Sequence, residues 1–407
     1  MSERIDRLES GLTVGIEEMP WTRTVSIGVY VGVGARDEPA EQSGVSHFLE
    51  HLLFKGTADR SAQEISRAVD RVGGDINAFT SKEYTAFYCR LPARFSATGV
   101  ELLGDVLTAP ALRDDDIESE RQVILEELAM DDDSPDDVSL RTLTRQLFPD
   151  HGLGRNTAGE RRTVNAITAA DVRDFYREHY TTGATVISVA GDVDHDEVVD
   201  AIRDAFIDMP AGDGRIARRK PAGPGGDVAI DDDSEQVHLA IGGRSLRRDH
   251  VDREALDVVN HVFGGGLSSR LFDEIRERRG LAYSVYSSTA AYADTGAWMV
   301  YAGTMPDHAD EVEGLVRREI ERLVAEGITD EELDVAVGYL TGAYELGLED
   351  TGARMSRLGG MLVTLGKVHS VEEQIARWEK VSADDVHRVI GEVYGAADPI
   401  TIAVGPR

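Results

Sequence analysis

Val186-Ile-Ser-Val-Ala-Gly191 and, 214 residues further on, Ile400-Thr-Ile-Ala-Val-Gly405 read as one β-strand written twice. Ile167-Thr-Ala-Ala-Asp-Val172 and Val381-Ser-Ala-Asp-Asp-Val386 stand at the same offset, as do Tyr180 and Tyr394. Three matches at one spacing point to an internal duplication. A chain of 407 residues is also long for one domain. Each half is therefore expected to be α+β. Strands from its start, middle and end would form one sheet, and helices would cover one face of it.

Outward from the first copy, residues 11–18 and 24–33 alternate or run β-branched and predict two strands. Ser61-Ala-Gln-Glu64 is a capping box opening a helix to about Val72, and Gly73-Gly74 ends it. Asp75–Ser81 and Tyr84–Arg90 predict two more strands, followed by helices over 95–108, 114–131, 137–147 and 169–178. The strand at Thr185–Ala190 is followed by a helix over 195–208. Residues 210–227 are rich in Gly and Pro and locally basic, which predicts a linker between domains at 1–209 and 228–407.

With 41% hydrophobic and 29% charged residues, the composition is that of a soluble globular protein with a sizeable core. No apolar run is long enough to span a bilayer, and Met1–Arg7 has no apolar signal region, so a cytoplasmic location is expected. The net charge of −32 argues against a nucleic acid partner. Because salt screens self-repulsion, this charge reads as adaptation to a salt-rich cytoplasm of the halophilic archaeal kind; a surface that attracts basic peptides is the competing reading. The single cysteine, Cys89, rules out an internal disulfide and reads as a small apolar core residue.

The chemistry concentrates in Ser46-His-Phe-Leu-Glu-His51-Leu-Leu-Phe54. On a helix, His47 and His51 stand one above the other with Glu50 beside them, and the remaining positions are apolar. Two imidazoles on one face can grip a Zn²⁺ ion, leaving the carboxylate as a base towards water. This is the H-x-x-E-H order. At offset 214, His261 falls opposite His47, but Gly264 and Gly265 fall opposite Glu50 and His51, so one half keeps the chemistry and the other has lost it. Catalytic zinc takes three protein ligands. The acidic segment Glu118–Leu128 offers Glu120 and Glu127, seven apart on one face, and Glu126 roughly 100° away; helical geometry leaves all three open.

His47-Phe-Leu-Glu-His51, Asn77-Ala-Phe-Thr-Ser-Lys-Glu83 and Glu120-Arg-Gln-Val-Ile-Leu-Glu-Glu127 together resemble the M16 peptidases, the pitrilysin and mitochondrial-processing-peptidase relatives, and the likeness runs along essentially the whole chain. The resemblance implies two homologous α/β-sandwich-like domains of the LuxS/MPP-like metallohydrolase fold, half of a clamshell. It implies one Zn²⁺ per chain, with Glu127, 76 positions after His51, as third ligand and Glu120 helping to orient the site. Phe263-Gly-Gly-Gly-Leu-Ser-Ser-Arg-Leu-Phe-Asp-Glu-Ile-Arg276 and the following Tyr283 resemble the segment that brings an Arg and a Tyr to the substrate. Gly280 would cap the helix before Tyr283, and the triple glycine reads as a tight turn or close packing point. Residues Asn77, Ala78 and Phe79 would lie on an edge strand to which an extended peptide adds itself.

The implied activity is zinc-dependent endopeptidase cleavage of extended or unfolded peptides, with Glu50 as general base. Family members of this length pair with a second chain. Arg276 and Tyr283 of one protomer would then serve the zinc of the other, in a homodimer or in a heterodimer with a related chain. A catalytically silent family subunit is the alternative. A protein binding ligands without metal, its HFLEH accidental, is the alternative of another class.

Overall fold

The computed structural model describes residues 3–214 and 216–406; Met1, Ser2, Arg215 and Arg407, at the expected domain ends and in the expected linker, lie outside the described residues. The first half begins with strands β1 (Arg4–Arg7), β2 (Thr13–Glu18) and β3 (Thr24–Val31). Helices α1 (Val45–Leu53) and α2 (Ala62–Asp70) come next, then β4 (Asp75–Thr80) and β5 (Thr85–Pro92). There follow α3 (Ser96–Thr108), α4 (Asp114–Asp132), α5 (Pro135–Leu147), α6 (Arg161–Ala166), α7 (Ala169–His179), β6 (Thr185–Gly191) and α8 (His195–Ala205). Every element expected from the sequence of this half is present. The short, charged β1 and the six-residue α6 are additions that carry too little apolar pattern to be read.

The second half starts with β7 (Val228–Asp231), β8 (Val237–Ser245) and α9 (Arg253–Asn260), which runs into a π-helical turn at His261–Gly265. After β9 (Ala282–Ala291) and β10 (Gly296–Thr304) come α10 (Ala309–Glu326), α11 (Asp330–Gly347), α12 (Thr351–Leu365), α13 (Val371–Glu379), α14 (Ala383–Val389) and β11 (Ile400–Gly405). The duplication is visible in the sheets. One has the order β1-β2-β6-β3-β5-β4, the other β7-β11-β8-β10-β9. In the first, β6 from the end of the half pairs parallel with β2 and antiparallel with the central β3; in the second, β11 pairs in the same way with β7 and β8.

Two compact units result: Met1–Leu128 with Arg155–Arg218 and Leu346–Ser370, and Ala129–Gly154 with Arg219–Glu345 and Val371–Arg407. These interleaved units correct the plain division at 1–209 and 228–407. They also correct the expectation that helices cover one face of each sheet. The second face of the first sheet carries Tyr30, Val186 and Ala190, and α12 covers it with Met355, Leu358 and Leu362. The second face of the other sheet carries Ala240, Ile400 and Val404, and α5 covers it with Leu143 and Leu147. The counterpart helices α5 and α12 are thus exchanged between the halves. The cause is visible in β3, Thr-Val-Ser-Ile-Gly-Val-Tyr-Val, which is buried almost throughout: a strand with two buried faces needs a layer on each.

The described residues of 210–227 form no helix or strand, yet they are tied down. In the first unit Arg218 donates to both Asp37 carboxylate oxygens at 2.9 Å. In the second, His151 bonds the Arg219 carbonyl at 2.8 Å and Gln146 holds Gly225 and Gly226. Among the described residues no helix is long and apolar enough to cross a membrane. Cys89 is a buried strand residue, as read, and burial pushes its thiol up to about 12.

Candidate metal centre

Helix α1 is fixed before any metal is considered. Gly44 precedes it with φ 99°, where a Cβ would stand 2.7 Å from the Ala158 carbonyl oxygen, so only glycine fits. The buried Glu38 carboxylate accepts the Gly44 and Ser46 amides, each at 2.8 Å, and satisfies the helix start; burial raises its pKa to about 7. Val45, Phe48, Leu49, Leu52 and Leu53 are buried, each contributing on the order of 1.5–3 kcal/mol. What remains is the side bearing His47, Glu50 and His51, whose imidazole rings are 4.5 Å apart.

Helix α4 is held to α1 by Arg121, which donates to the Val164 and Ile167 carbonyls and lies over the Phe48 ring. That register sets the glutamates. Glu126 is exposed, Glu120 is buried, and Glu127 is partly exposed with its Oε2 buried. The Glu127 Oε2 atom stands 3.7 Å from His47 Nε2 and 3.8 Å from His51 Nε2. These separations are too long for hydrogen bonds, and Glu127 Oε2 has no hydrogen-bond partner among the described residues. Ligand atoms about 2.1 Å from a tetrahedral zinc lie about 3.4 Å from one another, so the three residues fit the ion with a small closure.

Around this triad the charges are ordered. His51 Nδ1 lies 2.9 Å from Glu120 Oε1, which fixes Nε2 as the free nitrogen. The other Glu120 oxygen pairs with Lys55. His47 is pushed down to about 4 by burial and then by His51, so it is a neutral imidazole at neutral pH, the form that binds metal. Glu50 is raised above the usual carboxylate range by burial, opposed by a hydrogen bond from Thr80 Oγ1 at 2.5 Å.

Thus His47, Glu50, His51, Glu120 and Glu127 are brought together. Strand β4 is an edge strand, as expected, and carries Asn77, Ala78 and Phe79; the Asn77 side chain accepts the Ala78 amide at 2.8 Å, and Phe79 packs edge-on against Tyr84. Arg276 and Tyr283 belong to the second unit, where Arg276 lies 4.6 Å over the ring of Tyr283. Gly280 is left-handed as expected, although Phe272–Glu277 before it is π-helical, and Tyr283 is 77% exposed. Sequence reasoning missed Thr80 and Lys55. Lys55 lies four residues after His51, a helical spacing that could have flagged it. A second group, His250, Asp252 and Glu392, is less suited to a metal, because Arg388 already holds the buried Asp252 carboxylate.

Comparison with known proteins agrees with this geometry. Residues 13–161 match the family described as "Insulinase (Peptidase family M16)", and residues 166–340 match "Peptidase M16 inactive domain". A Streptomyces coelicolor protein named an uncharacterized zinc protease is 42% identical, over 98% of this chain and 88% of its own length. The chain belongs to the M16 peptidase family. A Bacillus subtilis member, also named an uncharacterized zinc protease, is 33% identical over 95% of this chain and 94% of its own. The fold is shared with a protease from Helicobacter pylori (TM-score 0.93, 24% identity, covering 100% of this chain and 99% of that one). It is shared equally with a Pseudomonas fluorescens structure described as a peptidase M16 inactive domain (TM-score 0.93, 21% identity, 100% and 98%). The candidate metal ligands His47, His51 and Glu127 fall within the first match, and the second match begins after them.

Proposed function

We propose that this chain is a zinc-dependent metalloendopeptidase acting on extended or unfolded peptides, with one Zn²⁺ held by His47, His51 and Glu127. The observation that carries the reading is the convergence of two Nε2 atoms and one Oε2 atom at distances that suit a coordination shell and not hydrogen bonds. Bound zinc supplies Lewis acidity, acidifying water and polarising a carbonyl. The chain's own residues do the rest. Glu50 takes the proton from the attacking water and passes it to the leaving amine, and its burial favours a carboxyl group that can hold a proton in between. Glu120 keeps His51 in the tautomer and orientation that present Nε2.

The edge of β4 supports substrate addition as a further strand at Asn77, Ala78 and Phe79. Recognition through the main chain gives broad specificity. The exposure of Tyr283 and its stacking with Arg276 support a role for this pair in holding substrate across a homodimer, each protomer serving its partner's zinc; a related M16 chain could fill the partner's place. The charge of −32 makes a salt-rich medium, as in a halophile's cytoplasm, part of the same proposal.

Purified in high salt, the chain is expected to hold one zinc per chain by elemental analysis. Glu50→Gln should keep the zinc and cut cleavage of an unfolded peptide by about 10²-fold or more. Absence of zinc, with Glu50→Gln as active as wild type, overturns the proposal. Bound zinc without cleavage by the wild type would identify a silent family subunit instead.

A further inference from the structure

The last residue of the edge strand is committed to the base. Thr80 Oγ1 donates to Glu50 Oε2 at 2.5 Å, the only hydrogen bond that links the side chain of a β4 residue to the trio on α1 among the described residues. Thr80 itself has little freedom. The turn that follows is pinned by the Ala35 amide on the Ser81 carbonyl at 3.0 Å and by the Arg36 amide on the Lys82 carbonyl at 2.8 Å. Antiparallel pairing of Thr80 with Thr85 fixes the other side. A hydroxyl on a β-branched side chain, at a strand end held from two directions, is a rigid donor. Ala78, two residues earlier, points to the same side of the strand. A peptide laid along β4 therefore meets a strand whose register is tied through Thr80 to the carboxylate that must reach the attacked bond.

We propose that Thr80 is a positioning residue that holds the Glu50 carboxylate in line with a substrate strand on β4; this rests on the peptidase reading above. Its hydroxyl does not touch the reacting atoms. It acts by removing the rotational freedom of Glu50, and a misplacement of about 1 Å at such a group costs on the order of 10²-fold in rate.

Thr80→Val keeps the branched shape and deletes the donor, while Thr80→Ser keeps the donor and deletes a methyl group. Thr80→Val is expected to lower kcat about 10- to 100-fold with KM changed less than about threefold and zinc content unchanged. Thr80→Ser should stay within about threefold of wild type. A crystal structure of metal-free Thr80→Val should show the Glu50 carboxylate turned away from its wild-type position. The proposal is overturned if Thr80→Val keeps wild-type kcat, if Thr80→Ser is as impaired as Thr80→Val, or if the Glu50 carboxylate is unmoved. Failure of the peptidase reading is distinguishable: the wild type would then show no zinc-dependent cleavage, and the crystallographic result would still decide the positioning claim.

Discussion

At the 214-residue offset, His47, Glu50 and His51 on α1 correspond to His261, Gly264 and Gly265 after α9, and Glu127 on α4 corresponds to Thr341 on α11. The two regions lie against equivalent edge strands, β4 and β9. In the first, Glu50 reaches across to Thr80 and the ligand atoms converge. In the second, the chain comes so near that a Cβ at Gly264 would stand 2.8 Å from the Ser287 amide nitrogen, and Ser287 Oγ donates back to Asn260 Oδ1 at 2.9 Å. His261 survives but stacks on Tyr339 with ring centres 4.2 Å apart, and Thr341 bonds its own helix at the Val337 carbonyl. A π-helical turn, which widens the helix locally, replaces the regular turn that spaces His47 from His51. What separates the candidate metal centre from its counterpart is the gap between helix and edge strand; the fold is common to both.

The exchanged helices extend the comparison. Helix α12 sits on the first sheet through a buried ion-pair network: Arg354 and Arg357 pair with Glu17 and Glu3. Helix α5 sits on the other sheet mainly through apolar contacts, with Arg244 stacked 4.1 Å over Phe148 beyond its end. Arg354→Met should destabilise the protein by about 3 kcal/mol or more, because it leaves the Glu17 carboxylate buried and under-compensated. Hydrogen exchange should show Thr351–Leu365 losing protection while Pro135–Leu147 keeps it. Equal loss in both helices would mean that the two attachments are coupled and the contrast is false.

The gap itself can be tested by closing or relaxing it. Gly264→Ala is expected to cost about 1–3 kcal/mol in denaturant unfolding, since the methyl group must displace backbone at Ser287. Glu50→Ala, at the matching position of the first half, should cost less than about 1 kcal/mol in the metal-free protein, because it removes a buried carboxylate and leaves room behind. A neutral Gly264→Ala would show that close approach is not what shut the second site.

Much of this was legible in the chain. The trio on α1 is a short-range pattern within one and a half turns, and such patterns survive in sequence because helical geometry alone brings the residues together. The duplication was legible through the strands at Val186 and Ile400, and the structure extends it to nearly every element. Glu127 was not separable from Glu120 and Glu126 on helical spacing; the register set by Arg121 over Phe48 selects it, and that is a long-range contact. The exchange of α5 and α12 was hidden for a similar reason: an amphipathic helix declares that it has an apolar face and not which sheet receives it. The almost wholly buried β3 did carry the signal that each sheet needs two covering layers.

The smallest expected effect concerns what the first half has and the second lacks. Strand β1 and helix α8 have no counterparts in the other unit, and His195 at the start of α8 joins them. Its Nε2 lies 2.8 Å from Asp6 Oδ2 and its Nδ1 2.8 Å from Asp196 Oδ1. Asp196 first, then Asp6, raises the imidazole above its usual 6.5, with Arg4 opposing. A raised folded-state pKa means that the stabilisation is fully present below about pH 6.5 and is lost as pH rises through the higher folded value. Both carboxylates are substantially exposed, so the contribution should stay below about 1 kcal/mol. Amide exchange at Arg4–Arg7 should therefore quicken across that window beyond the intrinsic pH effect, while strands of the second unit show no such step. His195→Gln should remove the step. If it persists in that variant, the attachment of β1 depends on its pairing with β2 and not on this imidazole, and the extra layer of the first half is held by backbone alone.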